Sequence, residues 1–215
     1  MIEKVKQTTS EKLLLVLFII LGIIALYIFV ILQQKCLFVK NYDPKEINFK
    51  NPENIAVLNV NCGNIIIKLY PKISPNSVER FKKLISSGKY NNIAFHRVIK
   101  NVLIQSGDLE FGNKDNYNYL YIGSGNSGLG PIKSELNDQV EFKAGTLGMA
   151  RTNKLNTEDS QFFILLQDAP LFKGEYTPIG EVVYGFEILD TIADDHRREY
   201  VLRPDFINSF KLLTD

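Results

Sequence analysis

The stretch Phe95-His96-Arg97-Val98-Ile99-Lys100-Asn101-Val102-Leu103-Ile104-Gln105-Ser106-Gly107-Asp108 sets one arginine and one glutamine within two short runs of strand-forming residues. Ala94 to Ile99 and Val102 to Gln105 are predicted as strands because β-branched and aromatic side chains dominate them. Alternation along the first run puts Phe95, Arg97 and Ile99 on one face. A guanidinium on such a face is costly unless the face lines a wet groove, or the side chain snorkels or pairs with a carboxylate. Far along the chain, Ser160-Gln161-Phe162-Phe163 again sets an amide beside aromatic rings. Two such segments suit a groove that grips an apolar ring and an amide.

Further strands follow on either side. Ile55 to Val60 and Ile65 to Tyr70 read as a hairpin turning at Asn61-Cys62-Gly63-Asn64. Thr146 to Met149, Gln161 to Leu166, Ile179 to Val183 and Phe206 to Leu212 have the same strand character. Ser74-Pro75 supplies an N-cap and a first-turn proline, Val78, Phe81, Leu84 and Ile85 recur at helical spacing, and Gly88 is placed to end that helix. A second short helix is expected over Phe186 to Ala193. Many short strands with two helices imply an all-β sandwich or closed barrel, not a parallel α/β sheet, and of the two the closed barrel is expected. The Asn- and Gly-rich stretch from Gly112 to Gly130 reads as a long surface loop.

Ahead of this domain, Leu13 to Leu32 holds no charged residue, and about 20 residues at ~1.5 Å rise cross the roughly 30 Å of bilayer hydrocarbon. A cleaved signal peptide would carry a shorter apolar region and a small-residue cleavage site, and neither is present at Phe29 to Gln34. The expected organisation is a tail over 1–12, a transmembrane anchor over 13–32, a stalk over 33–53 containing Pro44 and Pro52, and one domain over 54–215. Lys4, Lys6 and Lys12 before the span balance Lys35, Lys40, Lys45 and Lys50 after it, so charge counting does not orient it. A short tail before the first span usually stays in the cytoplasm, which sets the domain outside.

Composition narrows function by exclusion. A formal net charge of +1 with interspersed lysines offers no basic face for nucleic acid. Cys36 and Cys62 match no zinc spacing and read as ordinary thiols, with a disulfide as the alternative. Gly123, Gly125 and Gly128 formally satisfy a dinucleotide fingerprint, but Leu129-Gly130-Pro131 cannot open the helix that motif needs. The two histidines are a poor basis for hydrolysis: His96 reads as a structural strand residue, and His196 as a solvated member of Asp194-Asp195-His196-Arg197-Arg198. No metal or cofactor is expected.

Five segments in order, Phe95 to Ile99, Gln105 to Asp108, Gly145 to Arg151, Ser160 to Ile164 and Tyr176 to Val183, resemble the cyclophilin family of peptidyl-prolyl cis-trans isomerases. Bacterial-type members are the nearest in character, and the similarity covers roughly Ile55 to Ala193. The resemblance implies a closed eight-stranded antiparallel barrel capped by two helices. It makes Arg97 the catalytic arginine and Gln105 and Gln161 groove glutamines. It sets Val102, Leu103, Phe163, Leu171 and Tyr176 around a proline pocket, and Ala150, Arg151 and Thr152 along the substrate backbone.

Departures from the family's commonest residues fall in that pocket. Val102-Leu103 stand for a Phe-Met pair, Arg151 for Asn, Leu171 for Trp, Tyr176 for His, and Lys100-Asn101 for the Pro-Gly of the turn. The implied activity is rotation about X-Pro bonds in proline-containing polypeptide clients at a membrane surface, in the periplasm of a bacterium. The alternative is a membrane-anchored proline-peptide binding module or chaperone with weak or no isomerase activity.

Overall fold

The computed structural model describes residues 8–32, 35–195 and 199–215. Lys4, Lys6, Gln34 and His196, which entered the readings above, lie outside them. The chain divides into two compact units, 1–38 and 39–215.

In the first unit, α1 runs Thr9–Leu32, 24 residues. Its start is a reciprocal cap in which the Thr8 amide donates to Glu11 Oε2 at 2.8 Å and the Glu11 amide to Thr8 Oγ1 at 3.4 Å. Its apolar side chains from Leu13 to Val30 are exposed all round. It is the one helix among the described residues long and apolar enough to cross a membrane.

Among the described residues of the second unit, eight strands build one antiparallel curled sheet: β1 Ile55–Val60, β2 Gly63–Leu69, β3 Arg97–Ile99, β4 Leu103–Ser106, β5 Thr146–Met149, β6 Phe162–Leu165, β7 Pro178–Tyr184 and β8 Ser209–Leu212. Their spatial order is β3-β4-β6-β5-β7-β2-β1-β8. The terminal strands of that order do not pair directly. Instead, residues 92–98 exchange backbone hydrogen bonds with 199–207, including Phe95 N to Asp205 O and Val201 N to His96 O, both 2.9 Å. The first hairpin turns at Asn61-Cys62 alone, because Gly63 already pairs with Val60. Cys36 and Cys62, read as thiols, are both disulfide-bonded.

Helix α2, Pro75–Ser86, packs Val78, Phe81, Leu84 and Ile85 into the core, as their spacing requires. Its N-terminus differs from expectation. Ser74 occupies the cap position, but its hydroxyl donates to Pro178 O at 2.6 Å. The free amides of Asn76 and Ser77 are taken instead by Glu135, at 3.1 and 2.8 Å. Burial would raise the Glu135 pKa, but hydrogen bonds from Ser77 and Asn76 outweigh it and hold the carboxyl below its usual range. Helix α3 is a single turn, Phe186–Leu189, shorter than the expected Phe186 to Ala193.

The core centres on Phe81, Tyr90, Phe162 and Phe210, with the Phe81 ring 5.2 Å from both Tyr90 and Phe162. Within the span expected as a stalk, Val39 packs against this core and Asn41 Oδ1 accepts the Asn64 amide at 3.0 Å. Phe49 meets Tyr184 edge-on at 6.2 Å.

His96 is fully buried, and among the described residues neither ring nitrogen makes a well-formed hydrogen bond. Burial lowers its pKa to about 4, only partly offset by Asp108 and the Ala94 carbonyl. The unfolded chain therefore takes up a proton near pH 6.5 that the native protein refuses until about pH 4. Stability should fall as pH drops through that window, by up to about 3 kcal/mol. Urea midpoints between pH 7 and pH 4.5 measure this, and His96→Leu should flatten the slope. A flat wild-type profile would contradict a buried neutral imidazole.

Candidate active site

Strand register assembles the site. Arg97 pairs with Gln105 across β3 and β4, Gln105 with Phe163 across β4 and β6, and Phe163 with Gly148 across β6 and β5. Laterally paired residues project to the same face, so segments far apart in sequence lie in one row on the outer surface of the sheet. The intervening residues Ile104, Phe162 and Ile164 face the core.

At one end of the row is a polar chain. Arg97 Nη1 donates to Gln105 Oε1 at 3.2 Å, and Gln105 Nε2 to Gln161 Oε1 at 2.9 Å. Gln161 Nε2 donates to the carbonyls of Gly123 and Gly125 at 3.0 and 2.9 Å. The loop bearing those carbonyls is held by the buried Asp108 carboxylate, whose Oδ2 accepts the Gly123 and Gly125 amides at 2.7 and 3.1 Å. Gly125 is required there, because a Cβ would collide with Asp108 Oδ1. On its other side Arg97 meets Glu199 Oε2, from Nε at 2.9 Å and Nη2 at 2.8 Å. The guanidinium is thus paired with a carboxylate and also edges a cleft.

That cleft, of about 540 Å³, is lined among others by Arg97, Gln105, Ala150, Arg151, Thr152 and Gln161, with Tyr200, Asp159 and the turn from Gly123 to Asn126. Arg151 is fixed by bonds from Nε and Nη2 to the Glu175 carbonyl, at 3.2 and 3.0 Å, and lies 4.9 Å over the Tyr176 ring.

The other end of the row is apolar. Leu103, Phe142, Phe163 and Leu165 form a second buried cluster, flanked by the partly buried Val102, Ala150, Phe172 and Tyr176. The Phe163 ring meets Tyr176 at 5.3 Å and Phe172 at 5.6 Å, both edge-on. The tip of its ring lies against Gly148, where any Cβ would strike it. Ala150 belongs to both cleft and cluster. Leu171 belongs to neither and is 86% exposed, while its neighbour Phe172 stacks on Tyr176 at 4.6 Å.

The residues expected to act together thus adjoin, apart from Leu171. Sequence reasoning missed Glu199, Tyr200, Phe142, Phe172 and the role of Gly123 and Gly125. Glu199 sits beside a charged run that reads as solvated, and no local pattern ties it to Arg97.

The match to known proteins covers the sheet from its first residue, Ile55, to all but its last, Leu212. Residues 55–211 match the family described as cyclophilin type peptidyl-prolyl cis-trans isomerase/CLD. A probable peptidyl-prolyl cis-trans isomerase of Brucella suis is 38% identical over 160 residues, 73% of this chain and 81% of that protein. Peptidyl-prolyl cis-trans isomerase B of Escherichia coli is 34% identical over 146 residues, 64% of this chain and 83% of that protein. Among solved structures, a Cryptosporidium parvum cyclophilin crystallised in the presence of the dipeptide Ala-Pro aligns with a TM-score of 0.64 at 27% identity, covering 74% of this chain and 98% of that one.

Proposed function

Because this chain belongs to the cyclophilin-type peptidyl-prolyl cis-trans isomerase family and is an isomerase of that type, we propose that Arg97 is its catalytic group and that the row from Arg97 to Phe163 is its substrate groove. The observation that carries this reading is the lateral register of Arg97, Gln105 and Phe163, which aligns a cation, an amide and an aromatic pocket.

Amide resonance sets a barrier of about 18–20 kcal/mol to rotation about X-Pro. In the twisted state the prolyl nitrogen loses conjugation and becomes a hydrogen-bond acceptor. A donor that meets it only then lowers the barrier selectively. Arg97 keeps a free N–H on each terminal nitrogen after bonding Glu199 and Gln105. The apolar cluster at Phe163 and Tyr176, with Val102 and Leu103, holds the proline ring. Gln105, Gln161 and the segment Ala150 to Thr152 hold the peptide, so rotation is confined to one bond.

Turnover of an Ala-Pro peptide by the full-length chain in detergent tests this reading. A binding module that isomerises poorly is favoured by one observation, the small Val102 at the wall of the apolar cluster. Val102→Phe should therefore raise kcat/KM about two- to fivefold by tightening that wall. Peptide binding with no acceleration, in wild type and Val102→Phe alike, would select the binding module.

The bonds between 92–98 and 199–207, with Asn208 N to Asn59 O at 2.9 Å, support a sheet that closes into a barrel capped by α2 and α3. An exposed apolar α1 supports a membrane anchor over 13–32, with the domain from 54 onward performing catalysis on polypeptide clients. Disulfide-bonded Cys36 and Cys62 support an oxidising compartment, the periplasm for an inner-membrane protein. A periplasm-dependent reporter fused after residue 40 should be active, and silence there would reverse the orientation.

A further inference from the structure

We infer that Glu199 is a positioning residue for the reaction, holding the Arg97 guanidinium in the plane from which it donates to the substrate. This rests on the assignment of Arg97 above. Arginine carries high rotamer freedom, and donors stabilise a transition state best when fixed in advance. The Gln105 contact at 3.2 Å fixes only Nη1. Glu199 Oε2 bridges Nε and Nη2 at 2.9 and 2.8 Å and removes the remaining rotation about the side chain's end.

The backbone that carries this carboxylate is itself anchored. The Glu199 carbonyl accepts the Val98 amide at 2.9 Å, and the next residue, Tyr200, bridges to Arg97. The backbone of 199–201 is therefore docked along the strand that bears Arg97, so Glu199 reaches the guanidinium from a fixed base. Its side chain is 58% exposed, and an exposed ion pair contributes little to folding. Its removal should be felt in turnover and not in stability.

The test compares four full-length proteins in detergent, wild type, Glu199→Ala, Glu199→Gln and Arg97→Ala, on one Ala-Pro peptide, with melting temperature measured in parallel. Glu199→Ala should lower kcat about fivefold with KM within twofold and the melting temperature nearly unchanged. Glu199→Gln keeps an oxygen acceptor and should restore most of the loss. Wild-type or raised kcat in Glu199→Ala, a change confined to KM, or equal losses in both variants would overturn the inference. If Arg97→Ala turns over like wild type, the assignment of Arg97 fails. If Arg97→Ala is impaired while Glu199→Ala is not, only the role of Glu199 fails.

Discussion

Arg97→Ala should lower kcat for an X-Pro peptide at least tenfold, about 1.4 kcal/mol of transition-state stabilisation, while the peptide dissociation constant changes less than threefold. The ground-state peptide is held by the apolar cluster and by Gln105, Gln161 and the Ala150 to Thr152 segment. Losing the guanidinium therefore removes a contact made chiefly when the amide is twisted. Arg97→Lys should not restore the rate, because an ammonium cannot bond Gln105 and Glu199 in the planar fork and still present a donor to the prolyl nitrogen. Stability should move only modestly, since the ion pair's Glu199 side chain is 58% exposed and the pair faces solvent. Equal losses in binding and turnover would instead mark Arg97 as a general substrate anchor.

Phe163→Ala should act on folding and on binding together. Its ring is 3% exposed and touches Tyr176, Phe172 and Phe142, so truncation should cost about 3–5 kcal/mol. A melting temperature lower by about 6–20 °C is expected for a domain of this size. The peptide should also bind at least tenfold more weakly, because the pocket loses its floor. Phe163→Leu, which keeps most of the volume, separates the two effects: it should fold near normally yet bind the proline ring less well. Gly148→Ala approaches the same site from beneath and should weaken binding by pushing the ring off its seat. Unchanged peptide affinity in Phe163→Leu and Gly148→Ala would place the proline ring elsewhere.

The parts of the fold that could be read directly were those where local pattern and tertiary role agree. The strand from Ile55 to Val60 and the strand from Thr146 to Met149 have the bounds their residue types suggest. The helix over Pro75–Ser86 follows from its apolar spacing, and Gly88 with φ 67° ends it. Asn101, at φ 59°, takes the left-handed turn position that asparagine tolerates better than most residues.

What could not be read depends on partners far away in sequence. Glu135 caps a helix that begins 60 residues earlier at Pro75, a role usually given to the residue just before the helix. Nothing near Gln161 reveals that its amide is aimed at Gly123 and Gly125, two of the glycines whose spacing mimics a nucleotide motif. Strand alternation requires Phe162 and Phe163 to face opposite ways, but which one enters the core depends on strand pairing. Leu171 and Phe172 differ by one position in a tight turn, and only the turn's geometry sends Phe172, and not Leu171, against Tyr176.

The most direct test of the central claim is exchange spectroscopy on an Ala-Pro peptide bound to full-length protein, comparing wild type with Arg97→Ala at saturating enzyme. The expected result is rapid cis-trans exchange on wild type, slowed at least tenfold on Arg97→Ala while the peptide stays bound. Equal exchange on the two proteins, or a bound peptide that fails to exchange on wild type, would contradict it.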